Sequence, residues 1–247
     1  MGGQDHYRPD QPAKDMNKKL ARQSEIKMAV YVIVIIMICS LSPAWARIIY
    51  RGTQAKQVAL TFDDGPAPGV TDKILDILGR KGVRATFFVI GAKAAGHPLL
   101  LERMAREGHE IGNHTYYHSR TNWINNEKLL KEIEATSKLI SGATGRNVRY
   151  FRPPHGKLPY SKRKIIENAG YLIVLWSVSA DDCYRPGRGI RKPASIVRLV
   201  VSRVRGADVV LMHDDSRQIV EALPGIIDLL KKRGYKFVTI SGLKKGL

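Results

Sequence analysis

From Val58 onward the chain alternates short apolar runs with amphipathic helical runs, and this alternation constrains the fold more than any other feature. Val58–Phe62, Ala85–Ile90, His109–Gly112, the stretch at Tyr150, Leu172–Trp176, Val209–Met212 and Lys236–Ile240 read as strands. Between them, Val70–Lys81 carries Ile74, Leu75, Ile77 and Leu78 on one side and stops at Gly82. Pro98–Glu107 stops at Gly108, and Asn126–Ser141 carries Leu129, Leu130, Ile133 and Leu139. Ser161–Ala169, Pro193–Val204 and Ile219–Arg233 are the remaining helices, with Pro193 near a helix start, where proline is tolerated. Strand–helix–strand repetition predicts a mostly parallel sheet with helical crossovers, the α/β class. No repeat, low-complexity tract or linker interrupts it; Arg185–Arg191, rich in Pro, Gly and Arg, is expected to be a mobile loop.

The strand ends carry the chemistry. Thr61-Phe62-Asp63-Asp64-Gly65-Pro66 closes the first strand with two adjacent carboxylates, of which one can hold a metal while the other moves a proton. His114 and His118 stand four residues apart, a spacing that brings two imidazoles together on one face of a helical turn. With an Asp from another strand end they supply three ligands and leave a position open for water, the arrangement of a catalytic metal centre. Phe151-Arg152-Pro153-Pro154-His155-Gly156 is a rigid turn from which Arg152 could orient a carboxylate. Trp176–Cys183 ends in Asp181 and Asp182, and Val209–Asp215 is an apolar strand ending in His213, Asp214 and Asp215. Each segment alone also reads as polar loop after a core strand. Five together, all at the C-terminal ends of strands, mark the face where α/β barrels build active sites.

In this order the motifs resemble those of the polysaccharide deacetylase family, the NodB homology domain of carbohydrate esterase family 4, and in particular its bacterial peptidoglycan and sporulation-type branch. The resemblance runs from about Val58 to Ile240. It implies a distorted, incomplete (β/α) barrel of about seven parallel strands, and removal of N-acetyl groups from an amino-sugar polymer, with peptidoglycan first. Alternatives are a chitooligosaccharide or O-acetyl deacetylase, a deformylase of a lipid-linked amino sugar, and a non-catalytic wall-binding module. By the same resemblance Asp64, His114 and His118 hold a divalent metal, zinc first, with cobalt, nickel or manganese as alternatives. Asp63 is the general base, oriented by Arg152. His213 is the general acid, kept protonated by Asp182. The backbone N–H of His155 stabilises the oxyanion, and Leu211 lines the pocket for the acetyl methyl. Three positions depart from the family pattern: His155 stands where Tyr is usual, Ser179 where Asp is frequent, and Cys183 where Trp is common. The last removes a large wall from the acyl pocket.

A chain of 247 residues, 44% apolar, accommodates one sizeable domain and a short appendage. Lys14, Lys18, Lys19, Arg22 and Lys27 precede an apolar stretch, Met28 to Leu41, and Ser42-Pro43-Ala44-Trp45-Ala46 follows. This is the anatomy of a secretory signal, with an uncleaved membrane anchor as the competing reading. Residues 1–46 are therefore expected to be a basic leader plus signal or anchor, and 47–247 the exported domain; Met16 competes with Met1 as the true start. Cys39 lies in the leader, so the mature domain would hold Cys183 alone and no internal disulfide. Of the net charge of +19, the leader contributes +2. The strongly basic remainder suits anionic wall polymers and lipid headgroups; no nucleic-acid-binding motif is present, and no nucleic-acid partner is expected.

Overall fold

The computed structural model describes residues 48–183, 187 and 189–243, together with Met16, Gln23, Glu25, Lys27, Met28, Val30 and Tyr31. The chain divides into two compact units, Met1–Trp45 and Ala46–Leu247. In the first, the described residues are helical. Most of the Met28–Leu41 stretch, the Ser42–Ala46 segment and Cys39 lie outside the described residues, as do 185, 186 and 188 of the loop expected to be mobile. No helix among the described residues is long and apolar enough to cross a membrane.

The second unit is built on β1 (Gln57–Asp63), β2 (Thr86–Val89), β3 (Glu110–Asn113), β4 (Tyr150–Phe151), β5 (Leu172–Ile173), β6 (Val178–Ser179), β7 (Asp208–His213) and β8 (Lys236–Phe237). Their order is β5-β4-β3-β2-β1-β7-β6, every pair parallel, with β8 pairing β1 off this path. This is the curled, incomplete barrel that the resemblance implies. β1 changes neighbour along its length: Gln57 and Val58 face β8, whereas Thr61, Phe62 and Asp63 face β2. Such a sheet buries both faces, which explains apolar runs without polar alternation.

The two faces have different work. Val58, Leu60 and Phe62 point with Phe87, Val89, Val210 and Met212 into the main core, packed by α1 (Thr71–Lys81), α6 (Pro193–Arg203) and α7 (Arg217–Lys232). Ala59 lies with Phe88, Val174 and Val209 in a smaller inner core. Side chains alternate along a strand, so Thr61 and Asp63 continue the inner row of Ala59 toward the strand ends.

The remaining helices are α2 (Gly91–Gly96), α3 (Pro98–Arg106), α4 (Asn126–Thr144), α5 (Tyr160–Asn168) and α8 (Ile240–Leu243). α1 ends at Gly82, whose φ of 60° is the left-handed conformation that glycine adopts freely. α4 starts at Asn125, whose side chain accepts the Lys128 N–H at 2.8 Å.

Two strands differ from expectation. The strand expected over Leu172–Trp176 stops at Ile173, and a separate short strand follows at Val178–Ser179. β5 pairs with β4, β6 pairs with β7, and the chain between them crosses from one sheet edge to the other. Arg152 holds this crossing segment: its Nε and Nη2 donate to the Val174 and Leu175 carbonyls at 3.3 and 3.1 Å. The last strand stops at Phe237. Beyond it, the Ile240 N–H donates to Thr86 Oγ1 and the Ser241 N–H to Glu110 Oε2, which starts α8.

Candidate active site

The segment after β1 is shaped by two special backbone positions. Asp64 has φ 75°, a turn that sends its side chain away from that of Asp63. A Cβ on Gly65 would lie 1.9 Å from Asp214 Oδ2, so only glycine fits there. Asp214 also donates its N–H to the Asp63 carbonyl at 3.1 Å and accepts from Thr71 Oγ1 at 2.8 Å. The carboxylate pair is thereby clamped from β7 and from α1.

Asp63 is buried, and its Oδ1 accepts from Arg152 Nη1 at 2.6 Å. Arg152 is fully buried. It donates to Thr61 Oγ1 at 2.8 Å, and its guanidinium lies 4.1 Å from the centre of the Phe88 ring. Every edge of the guanidinium thus has a polar partner, which a buried cation requires.

His114 and His118 are not on a helical turn. They lie in an irregular loop after β3, with Thr115 and His118 at φ 64° and 57°. Side chains the sequence reading passed over hold this loop. Asn113 Oδ1 accepts the Thr115 N–H at 2.8 Å, while its Nδ2 donates to Ile133 O and Ser137 Oγ. The first N–H groups of α2, from Gly91 and Ala92, bond the Thr115 and Tyr116 carbonyls at 2.9 Å. Glu132, buried in α4, accepts from the Tyr117 N–H at 3.2 Å and from Ser119 Oγ at 2.7 Å. A visible signal existed for Glu132: it is an acid among the buried positions Leu129, Ile133 and Thr136 of its helix. Asp214 stood in the His-Asp-Asp sequence without an assigned task.

The loop brings both imidazoles onto Asp64. His114 Nε2 lies 3.4 Å, and His118 Nε2 3.2 Å, from Asp64 Oδ1. His114 Nδ1 is 2.7 Å from the Arg152 carbonyl, which can only accept, so Nδ1 carries the proton there. Asp64 Oδ1 is buried and has no hydrogen-bond donor. Burial pushes the Asp64 carboxyl up, but the close approach of the His114 ring and the charges of His114, His118 and His213 outweigh it and hold the group well below the usual carboxylate range. Burial and the neighbouring His114 charge push His118 down to about 4, so its ring is neutral at pH 7. One carboxylate oxygen and two ring nitrogens converge within 4.8 Å of one another. A buried acceptor without a donor, facing imidazole nitrogens, fits a divalent cation.

His213 ends β7. Its Nδ1 and its backbone N–H both go to Asp182, at 2.9 Å each, and its Nε2 lies 4.0 Å from Asp64 Oδ2. Burial opposes the charged ring, but the bond and charge of Asp182, with Asp63 and Asp64, push His213 up to about 10. It is protonated at neutral pH. His155 has φ 60° and an exposed ring 4.6 Å from that of His118. Leu211 is buried on β7 beside Thr61. Cys183 is exposed next to Asp182, and Ser179 Oγ donates to Asp181 Oδ1 at 3.1 Å.

The sequence profile described as Polysaccharide deacetylase matches residues 50–174. This chain belongs to the polysaccharide deacetylase family. It is 41% identical over 193 residues to a peptidoglycan-N-acetylglucosamine deacetylase of Bacillus cereus, spanning 76% of this chain and 88% of that one. Identity to PgdA of Listeria monocytogenes, named for the same activity, is 35%, but the chain spans only 39% of that protein's length. Among solved structures, a peptidoglycan N-acetylglucosamine deacetylase superposes with a TM-score of 0.76 at 32% identity, over 81% of this chain and 94% of the other. A pseudoenzyme of the same carbohydrate esterase family from Bacillus anthracis superposes with a TM-score of 0.74 at 29% identity, over 80% and 69%.

Proposed function

We propose that this chain is an exported hydrolase that removes N-acetyl groups from an amino-sugar polymer of the cell envelope, peptidoglycan first. The observation that carries this reading is the convergence of Asp64, His114 and His118 beside an Arg152-held Asp63 on one side and an Asp182-held His213 on the other. Relatives named for peptidoglycan deacetylation support the substrate; a chitooligosaccharide deacetylase of Sinorhizobium fredii, 36% identical over 198 residues, keeps chitin oligomers as the alternative. Asp64, His114 and His118 would hold the divalent metal, with zinc favoured by a set of two imidazoles and one carboxylate. When bound, the ion polarises the acetamide carbonyl and makes water more acidic.

The residues of the chain divide the remaining work. Asp63 takes a proton from the attacking water, and Arg152 leaves only one of its carboxylate oxygens free to do so. As water oxygen bonds to the acetyl carbon, the His155 N–H stabilises the oxyanion. His213 then gives its proton to the departing nitrogen as the C–N bond breaks, leaving acetate and a free amine. Leu211 and Cys183 bound the space for the acetyl methyl.

A family pseudoenzyme with the same fold shows that fold alone does not carry activity. Here the residues read as acid, base and ligands are all present in the chain. Peptidoglycan lies outside the membrane, so residues 1–46 are read as the export leader, cleaved or retained as an anchor. Acetate release from purified peptidoglycan and from chitin oligomers, measured on metal-loaded protein, tests the reading. Release from neither substrate, with metal bound, would leave a wall-binding module.

A further inference from the structure

Beside the site, on the His118 side, lies an aromatic and basic ledge that the chemistry above leaves unused. After His118 the chain passes through Arg120 and Trp123 before entering α4. Trp123 is 71% exposed, and the Arg120 guanidinium lies 4.4 Å from the centre of its ring. Two buried side chains pin this segment. Thr121 Oγ1 donates to the Lys157 carbonyl at 2.5 Å, and Lys162 Nζ donates to the Ile124 carbonyl. The first bond ties the ledge to the loop that carries His155, whose ring packs on His118. Arg120 and Lys157 both lie within electrostatic reach of His155.

A single exposed apolar side chain needs no explanation. An indole on a pinned support, backed by a cation and on the loop that follows His118, does. Arg120 covers one face of the ring, and the rest stays open to solvent. A pyranose presents a face of C–H groups with partial positive charge, which suits the negative face of an aromatic ring. Stacking uses the plane of a guanidinium and leaves its edge donors for a carboxylate.

We propose that Trp123 and Arg120 form a subsite for the sugar next to the one deacetylated, with Trp123 stacking on its ring and Arg120 pairing with a carboxylate such as the lactyl group of a muramic acid residue that carries no peptide. The inference rests on the deacetylase reading and narrows it to a carboxylate-bearing glycan. The basic charge of the domain favours the same choice, since chitin-type chains are neutral.

Steady-state kinetics of Arg120→Gln and Trp123→Ala on a peptide-free muramic-acid glycan and on chitin oligomers test it. Arg120→Gln should raise KM for the muramic-acid glycan about tenfold more than KM for chitin oligomers, the scale of one charge-assisted hydrogen bond. Trp123→Ala should raise KM on both by similar factors, and in each variant the loss should fall on KM rather than kcat. Calorimetric binding of a soluble muramic-acid-containing fragment gives a readout that needs no turnover. Tight binding that weakens in both variants, without acetate release, would keep the subsite and overturn the deacetylase reading. Acetate release with KM and Kd unmoved in both variants, or an Arg120→Gln effect equal on the two glycans, would overturn the subsite and keep the deacetylase.

Discussion

Asp63 and Asp64 are neighbours in sequence with different partners, and the left-handed turn at Asp64 separates them. One side chain goes to Arg152, the other to the two imidazoles. Asp63→Asn should therefore retain metal and lose turnover by about 10²-fold or more, the scale of general-base loss. Asp64→Asn should lose metal. Metal content and kcat of the two variants check this, and the opposite pattern would exchange the roles. Cys183 tests the acyl pocket. If it leaves a wall missing, Cys183→Trp should selectively lose acyl groups larger than acetyl, by about tenfold, since one methylene in an apolar pocket is worth about 1–3 kcal/mol. The ratio of kcat/KM for acetyl and propionyl substrates measures this; an unchanged ratio would place Cys183 away from the pocket.

At the scale of elements, the barrel is held together by groups between strands as much as by ladders. Arg152, just after β4, reaches β1 through Thr61 and Asp63, and the crossing segment through the Val174 and Leu175 carbonyls. At the opposite end of the strands His109 precedes β3 and is 2% exposed, and its Nδ1 accepts the Ala85 N–H at 3.1 Å. Burial, with the charges of Arg84 and Arg103, pushes His109 down to about 4 against the pull of Glu107. Unfolded, the ring titrates near its ordinary 6.5. Between these values the unfolded chain binds the extra proton, so this contribution to stability is complete above pH 6.5 and is lost as pH falls through 4. Urea midpoints across that window should fall with acidification. His109→Gln should flatten that part of the curve, and an undiminished slope would assign the loss to other groups.

For the whole molecule, the proposed ligand atoms come from two loops that only the folded sheet brings together, so a bound metal would stabilise the native state. A fragment of residues 47–247 should fold alone and show a rise in Tm on adding zinc. A concentration 100-fold above Kd adds about 2.7 kcal/mol. His118→Ala should abolish the rise without unfolding the protein. A fragment that fails to fold would show that the leader belongs to the domain.

The α/β class, the parallel sheet and the position of the chemistry at strand ends were legible from sequence, because burial on both faces of a parallel sheet leaves continuous apolar runs with polar residues where they stop. α1 and its Gly82 stop were legible because an apolar stripe and a glycine end are local signals. α2 was not, since Gly-Ala-Lys-Ala-Ala-Gly has no apolar period; it forms because its N–H groups meet the carbonyls of the His114–His118 loop. That loop was misread as helical because His-x-x-x-His spacing suits both a helical turn and an irregular one, and the positive φ of Thr115 and His118 is sustained by Asn113 and Glu132. The early stop of the strand expected over Leu172–Trp176 had no local signal, since the Arg152 that holds the Val174 carbonyl lies 22 residues before it. Residue types and their order determined which groups could do the chemistry. The pairing of Asp63 with Arg152, of Asp64 with the two imidazoles and of His213 with Asp182 was decided by tertiary structure, because each joins side chains from different strands whose distance depends on how the sheet curls.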